Sequence, residues 1–143
     1  MVAIIGIIAA IAIPNLLNAL NRGRQKRSMA DMRPIGTAIE ASAVDLSFYP
    51  QWDEAQLAGG TDLVVSIEPT YVRTVPRNDG WRQQFWAKSE SRFYSIGSAG
   101  RDLVMEANLD DTNYVGNVTT DMDCDIVYSN GSFMQYPEGI QTD

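Results

Sequence analysis

Hydrophobic residues are concentrated at the start of the chain, where residues 2–13 (VAIIGIIAAIAI) contain no polar side chain. A helix that is apolar on every side is typical of lipid surroundings or of a bundle of similar helices. The run is shorter than the roughly 20 residues that a membrane span needs, so we interpret it as the distal part of a longer hydrophobic helix. We expect residues 1–27 to form a helical stem and residues 28–143 to form a globular head.

Beyond this run, apolar residues recur at the three-and-four spacing of an amphipathic helix. Seven residues form the predicted stripe: Met29, Met32, Ile35, Gly36, Ile39, Ala43 and Leu46. A proline inside a helix removes a backbone donor and clashes with the preceding turn. Pro14 and Pro34 each therefore predict a kink or break, and we expect Pro34 to end or bend the helix near Arg33.

Strand signals are confined to the second half of the chain, after a mostly irregular connection at residues 51–80. Four segments have strand character: 83–87, 92–97, 125–129 and 132–136. The polar turn 88–91 joins the first pair, and Asn130-Gly131, a strong type I′ hairpin signal, joins the second. The pattern predicts an α+β fold in which the long N-terminal helix packs on a four-stranded antiparallel sheet.

Charge is distributed unevenly between the two parts. Residues 1–30 contain four cations and no acid, whereas residues 31–143 contain 7 basic and 18 acidic residues. The four cations are Arg22, Arg24, Lys26 and Arg27. They suit either lipid headgroups or acidic groups of neighbouring subunits. Because nucleic-acid binding requires a basic face, the acidic head excludes nucleic acid as a partner.

Residues with catalytic chemistry are scarce. The chain has no histidine, the commonest general base, and no glycine-rich phosphate loop. Cys124 is the only cysteine, so no intrachain disulfide forms. We predict that the protein is not an enzyme.

Residues 2–41 (VAIIGIIAAIAIPNLLNALNRGRQKRSMADMRPIGTAIEA) resemble the N-terminal stem of the type IV pilin and type II secretion pseudopilin superfamily. By this resemblance the chain starts about eight residues late, so the leader, the methylated first residue and a stem glutamate are missing. The resemblance implies a pilin-like fold and a structural subunit of a filament. The implied assembly stem is Ile4, Ile5, Ile7, Ile8, Ile11, Ile13 and Pro14.

The resemblance also implies partners and a location. A prepilin peptidase and an inner-membrane assembly machinery would process the subunit, which lies in the inner membrane of a bacterium before assembly. It would then join a helical homo-oligomer, either a periplasmic or an extracellular filament. Residues 67–81 (IEPTYVRTVPRNDGW) resemble the major pseudopilin branch. The kind of filament stays undecided at this point between a surface pilus and a secretion pseudopilus.

A long polar loop at residues 98–124 separates the two predicted hairpins. Loops of this length are usually functional or disordered. Its carboxylates are the hard oxygen ligands that calcium takes, six to eight at a time with backbone carbonyls. The loop is therefore either a calcium site or a solvated acidic connection. An alternative function follows from it: a monomeric, membrane-anchored periplasmic binding domain.

The resemblance implies a specific calcium site. Major pseudopilins bind calcium in a loop that follows a Tyr-Ser-Leu-Gly-x-Asp-Gly segment and ends in Asp-x-Asp. The matching segment here is residues 94–100, with Ala99 in place of the aspartate. Asp123 and Asp125 match the closing pair, and Asp102 is the candidate to replace the missing ligand. We therefore expect Asp102, Asp123 and Asp125 to bind Ca²⁺ if the site exists.

Overall fold

A single long helix, α1 (Val2–Leu46), begins the fold. The structure is a computed structural model and describes residues 1–58, 60–110 and 117–137. At 1.5 Å per residue, the 45 residues of α1 span about 68 Å. The helix ends at Leu46. The N–H of the capping residue Ser47 still donates to the Ala43 carbonyl at 2.8 Å, and its left-handed backbone (φ 66°) turns the chain out of the helix. This is a standard helix C-terminus.

The expectation that Pro34 would end or bend the helix near Arg33 is wrong as to an end, because α1 continues through both prolines. A bend at Pro34 stays a prediction. Each proline removes one hydrogen bond, while the ladder on either side remains. Around Pro34 the helix is also held by burial of Met32 and Ile35 in the head. Tertiary packing outweighs the local cost of the proline.

The described part of the chain also contains a short helix and six strands that form one sheet. These elements are β1 (Trp52–Gln56), α2 (Asp62–Ile67), β2 (Trp86–Glu90), β3 (Phe93–Ser98), β4 (Asn117–Thr119), β5 (Ile126–Ser129) and β6 (Ser132–Pro137). The strand order is β1-β2-β3-β5-β6-β4, and all neighbours are antiparallel except β4 and β6. The predicted α+β architecture is confirmed, with two more strands than expected.

The predicted strand positions agree best with the structure in the centre of the sheet. β3, β5 and β6 lie within one residue of their predicted ends. β2 is displaced, because residues 88–90 of the predicted turn belong to the strand and the turn is Ser91-Arg92. β1 and β4 were missed: β1 is almost wholly exposed and shows no apolar alternation, and β4 has three residues.

The turn between β5 and β6 has the predicted geometry. Asn130 and Gly131 both have positive φ, 48° and 88°, and Ser129 pairs with Ser132 across them. Type I′ turns require this combination.

The core lies between the C-terminal half of α1 and the sheet. Fully buried Met32, Ile35 and Ile39 form the centre of the predicted stripe and belong to one apolar cluster with Tyr94 and Ile96 of β3. The stripe weakens at its ends, since Met29 and Ala43 are only half-buried and Leu46 is exposed.

A polar contact also joins α1 to the sheet. The buried Tyr94 hydroxyl donates to Glu40 Oε1 at 2.6 Å and accepts the N–H of Gly131 at 3.0 Å. Burial, with the carboxylate of Glu40 beside it, raises the pKa of Tyr94 far above its usual range. Tyr94 therefore stays neutral and links the helix to the final hairpin.

Candidate functional site

The N-terminal half of α1 exposes its large apolar side chains on every side. Each isoleucine and leucine between positions 4 and 20 keeps 50–65% of its maximal accessible surface. These residues are Ile4, Ile5, Ile7, Ile8, Ile11, Ile13, Leu16, Leu17 and Leu20. Full burial of one such side chain is worth roughly 1.5–3 kcal/mol. The protein alone does not obtain this stabilisation, so an apolar partner outside the subunit is required.

By length and composition, α1 is also able to cross a membrane. It contains an 18-residue apolar window, none of which is buried within the protein. No charged side chain precedes Arg22, so the uncharged segment continues past residues 2–13 to Asn21. All the residues predicted for the assembly stem, including Pro14, lie in this segment. Their role in assembly stays a prediction.

The stem meets the head where α1 touches Gly80. The Gly80 N–H donates to Ser28 Oγ at 2.9 Å, and the Ser28 hydroxyl donates to the Arg24 carbonyl at 3.0 Å. A Cβ at position 80 would collide with the backbone of Arg24, so only glycine allows this approach. The first buried side chain along α1 is Gln25. The division at residues 27 and 28 stays a prediction, but the first head contacts lie beside it.

Asp79 supports this junction from the head side. Its buried carboxylate accepts backbone N–H groups from Trp81 at 2.8 Å and Gln83 at 3.0 Å, and the Ser98 hydroxyl at 2.7 Å. These bonds fix the turn that presents Gly80 to α1. The Asp-Gly-Trp segment, which carried part of the family resemblance, therefore joins the sheet to the stem.

The predicted basic flank lies at the same junction. Arg24, Lys26 and Arg27 are exposed, and Arg27 forms an i,i+4 ion pair with Asp31 at 3.5 Å. Exposed pairs of this kind contribute little to stability. The flank presents positive charge between the apolar stem and the acidic head. This position suits both alternatives, lipid headgroups and acidic groups of neighbouring subunits.

In the acidic loop, Arg101 and Asp123 form a two-pronged ion pair. Arg101 Nε donates to Asp123 Oδ1 at 2.6 Å and Nη2 donates to Oδ2 at 2.8 Å. The hydrogen bonds from Arg101 lower the pKa of Asp123 below its usual value. Both carboxylate oxygens of one predicted calcium ligand are therefore engaged by a guanidinium.

Asp125, just before β5, is buried and holds another part of the loop. Its Oδ2 accepts the backbone N–H groups of Glu106 at 2.7 Å and Ala107 at 2.6 Å. Burial raises the pKa of Asp125, and the two backbone hydrogen bonds oppose that shift. Oδ1 is buried without a hydrogen-bond partner among the described residues.

Asp102, the third predicted ligand, is exposed, and its Oδ1 accepts the N–H of Val104 at 3.0 Å. Across residues 1–58, 60–110 and 117–137, no group of three or more acidic, cysteine or histidine side chains is placed to hold a metal ion. Residues 111–116 of the predicted loop lie outside the described residues. The side chains that are described do not fit the expected calcium ion, and calcium binding stays a prediction.

Two contributors to these sites were missed from the sequence. Arg101 is a cation within an acidic segment, a signal that a count of carboxylates overlooks. Ser28 lies between polar stem residues and the apolar stripe, and nothing in its neighbours along the chain distinguishes it. Its partner Gly80 is distant in sequence.

Two known proteins are similar to the chain. The type II secretion system core protein G of Aeromonas hydrophila is 24% identical over 123 residues, which cover 82% of this chain and 84% of that protein. The protein of the same name from Pectobacterium carotovorum subsp. carotovorum is 24% identical over 87 residues, covering 57% of this chain and 55% of that protein. No family model and no solved structure matches the chain.

These similarities confirm the predicted resemblance to the superfamily of type IV pilins and type II secretion pseudopilins. They also agree with the prediction that the protein is not an enzyme. The fold agrees, since a long N-terminal helix packs on a mostly antiparallel sheet. The head folds around its own core, whereas the apolar side chains of the stem stay exposed.

Proposed function

We propose that the protein is a structural subunit of a type II secretion pseudopilus, in which the stems of many copies pack together as the filament core. The observation that carries this proposal is the stem itself, whose apolar side chains are exposed on all sides of α1. Both similar proteins are named as core components of a type II secretion system, which supports the pseudopilus over a surface pilus.

Before assembly, the stem would lie in the inner membrane of a bacterium, with the acidic head in the periplasm. The exposed flank of Arg24, Lys26 and Arg27 would then meet the headgroups. The expected partners are a prepilin peptidase and the inner-membrane assembly machinery. After extraction, a periplasmic filament would replace the lipid around each stem with other stems.

This exchange needs close packing, because apolar side chains gain little by leaving lipid for other apolar side chains. Small residues let helices approach closely, and the stem interleaves them with isoleucine. No atom lies within 4 Å of a Cβ built at Gly6, so this surface is open to a neighbouring helix. Dispersion contacts between tightly packed stems would then favour the filament over the dispersed subunit.

Filament formation by a stem variant tests the proposal. Ile8→Asp places a carboxylate in the proposed stem core, where an unpaired buried charge is strongly unfavourable. In cells that make filaments from the natural gene, we expect this variant to lower the sheared and pelleted filament by at least about tenfold, which corresponds to 1.4 kcal/mol. Electron microscopy of the pellet identifies the polymers.

The matched control is Val65→Asp on α2, since Val65 is as exposed as Ile8, 66% against 62%. We expect this variant to assemble normally. Normal filaments from Ile8→Asp would contradict a stem core. A natural protein that stays monomeric after detergent extraction, and forms no polymer in its own cells, would favour the membrane-anchored binding domain instead.

A further inference from the structure

The acidic loop contains its own cation. Arg101 lies just after β3 and Asp123 lies three residues before β5, so their contact joins two residues that are 22 positions apart in the sequence. Asp102 and Asp121 lie near enough to add favourable charge around the Arg101 guanidinium. The positive group therefore lies among three carboxylates of the loop.

The backbone brings Arg101 to this position. Gly100 has a φ of 71°, and a Cβ there would come within 2.8–3.2 Å of the carbonyl oxygens of residues 122–124. Next to it, the Arg101 N–H donates to the Met122 carbonyl at 3.1 Å. On the other side, Asp121 Oδ1 accepts the N–H of Asp123 at 2.9 Å and orients that turn. Main-chain contacts thus hold the two residues of the ion pair beside each other.

A guanidinium and a calcium ion would compete for these oxygens. The planar guanidinium matches a carboxylate with two parallel hydrogen bonds and stays charged at all physiological pH values. Calcium needs six to eight oxygens, carboxylates among them. It would have to displace Arg101 from Asp123 and would be repelled by the displaced charge nearby. Ala99 also supplies no carboxylate at the position where one was expected.

We infer that Arg101 is the resident cation of the acidic loop: it replaces the predicted calcium ion at Asp123 and joins the two ends of the loop without a divalent metal. The head would then keep its stability when calcium is removed. The proposal concerns the head alone and holds whether or not the protein forms a pseudopilus.

Thermal unfolding of the full chain in detergent tests this inference. Tryptophan fluorescence reports on the head, because all three tryptophans lie after residue 51. We expect the unaltered chain to have the same Tm in excess calcium and in excess chelator. Arg101→Ala should lower Tm by roughly 2–6 °C, the range for an exposed but two-pronged pair. Arg101→Lys keeps the charge but loses the two parallel hydrogen bonds, so its Tm should lie between those of the unaltered chain and of Arg101→Ala.

Three further variants separate the ion pair from a general effect of charge. Arg92→Ala, at an exposed arginine in the turn between β2 and β3, should leave Tm unchanged. Asp123→Ala should lower Tm, and the double variant Arg101→Ala with Asp123→Ala should lose less than the sum of the single losses. A Tm of the unaltered chain that rises with calcium and falls with chelator would overturn the inference, and so would an unchanged Tm in Arg101→Ala.

Discussion

The two halves of α1 carry similar apolar residues but differ completely in their surroundings. In the C-terminal half, Met32, Ile35 and Ile39 have no accessible surface. In the N-terminal half, Ile8 and Ile11 keep 62% and 65% of theirs. The C-terminal half packs on the sheet of the same chain, whereas the N-terminal half needs an apolar partner from outside. The difference locates folding in the head and, under the proposed function, assembly in the stem.

The same contrast appears in the position of polar groups. The head buries Asp79, Asp125 and Ser98 and provides hydrogen bonds for each of them. The stem has no charged side chain before Arg22, so no side-chain charge opposes its transfer into lipid or into a helix bundle. An acid placed in either half should be unfavourable. In the C-terminal half it should lower the Tm of the head, and in the N-terminal half it should reduce the amount of filament.

The largest expected effect comes from placing the same substitution in both halves. Ile35→Asp buries an unpaired carboxylate in the core and should destabilise the head by more than about 4 kcal/mol, enough to unfold it. Ile11→Asp should leave the Tm of the head unchanged and abolish filaments. Tryptophan fluorescence during heating measures the first effect, and pelleting measures the second. A lowered Tm in Ile11→Asp would show that the stem contributes to the fold.

A smaller effect is expected at the junction of the two halves. Gly80→Ala pushes a methyl group against the backbone of Arg24, and such overpacking costs about 1–3 kcal/mol. Gly23→Ala is the matched control, because its Cβ would meet nothing within 4 Å and alanine favours a helix by about 0.5–1 kcal/mol. We expect Tm to fall in the first variant only. Equal Tm values for Gly80→Ala and the parent would contradict a tight junction.

Much of this division can be predicted from the sequence, because the signals involved are local and periodic. The polar-free run predicts the stem, and the spacing of Met32, Ile35 and Ile39 predicts the buried face of α1. Asn130-Gly131 predicts the final turn, since few residues tolerate positive φ. Each signal lies within one element and does not depend on distant parts of the chain.

The features that were missed depend on contacts between distant residues. Pro34 lies in an intact helix because the sheet holds the residues around it. Ser89 looks like a turn residue, yet it is buried in β2 and donates to the Phe93 carbonyl at 3.3 Å. Arg101 meets Asp123 only once the strands have brought the two ends of the loop together. No local pattern specifies these partners.

A helical reconstruction of the filaments by electron cryomicroscopy tests the central claim most directly. The account predicts that residues 2–20 of every subunit lie near the filament axis, that other stems surround each stem, and that the acidic heads face the solvent. Filaments held together by heads alone, with the stems outside the core, would contradict it.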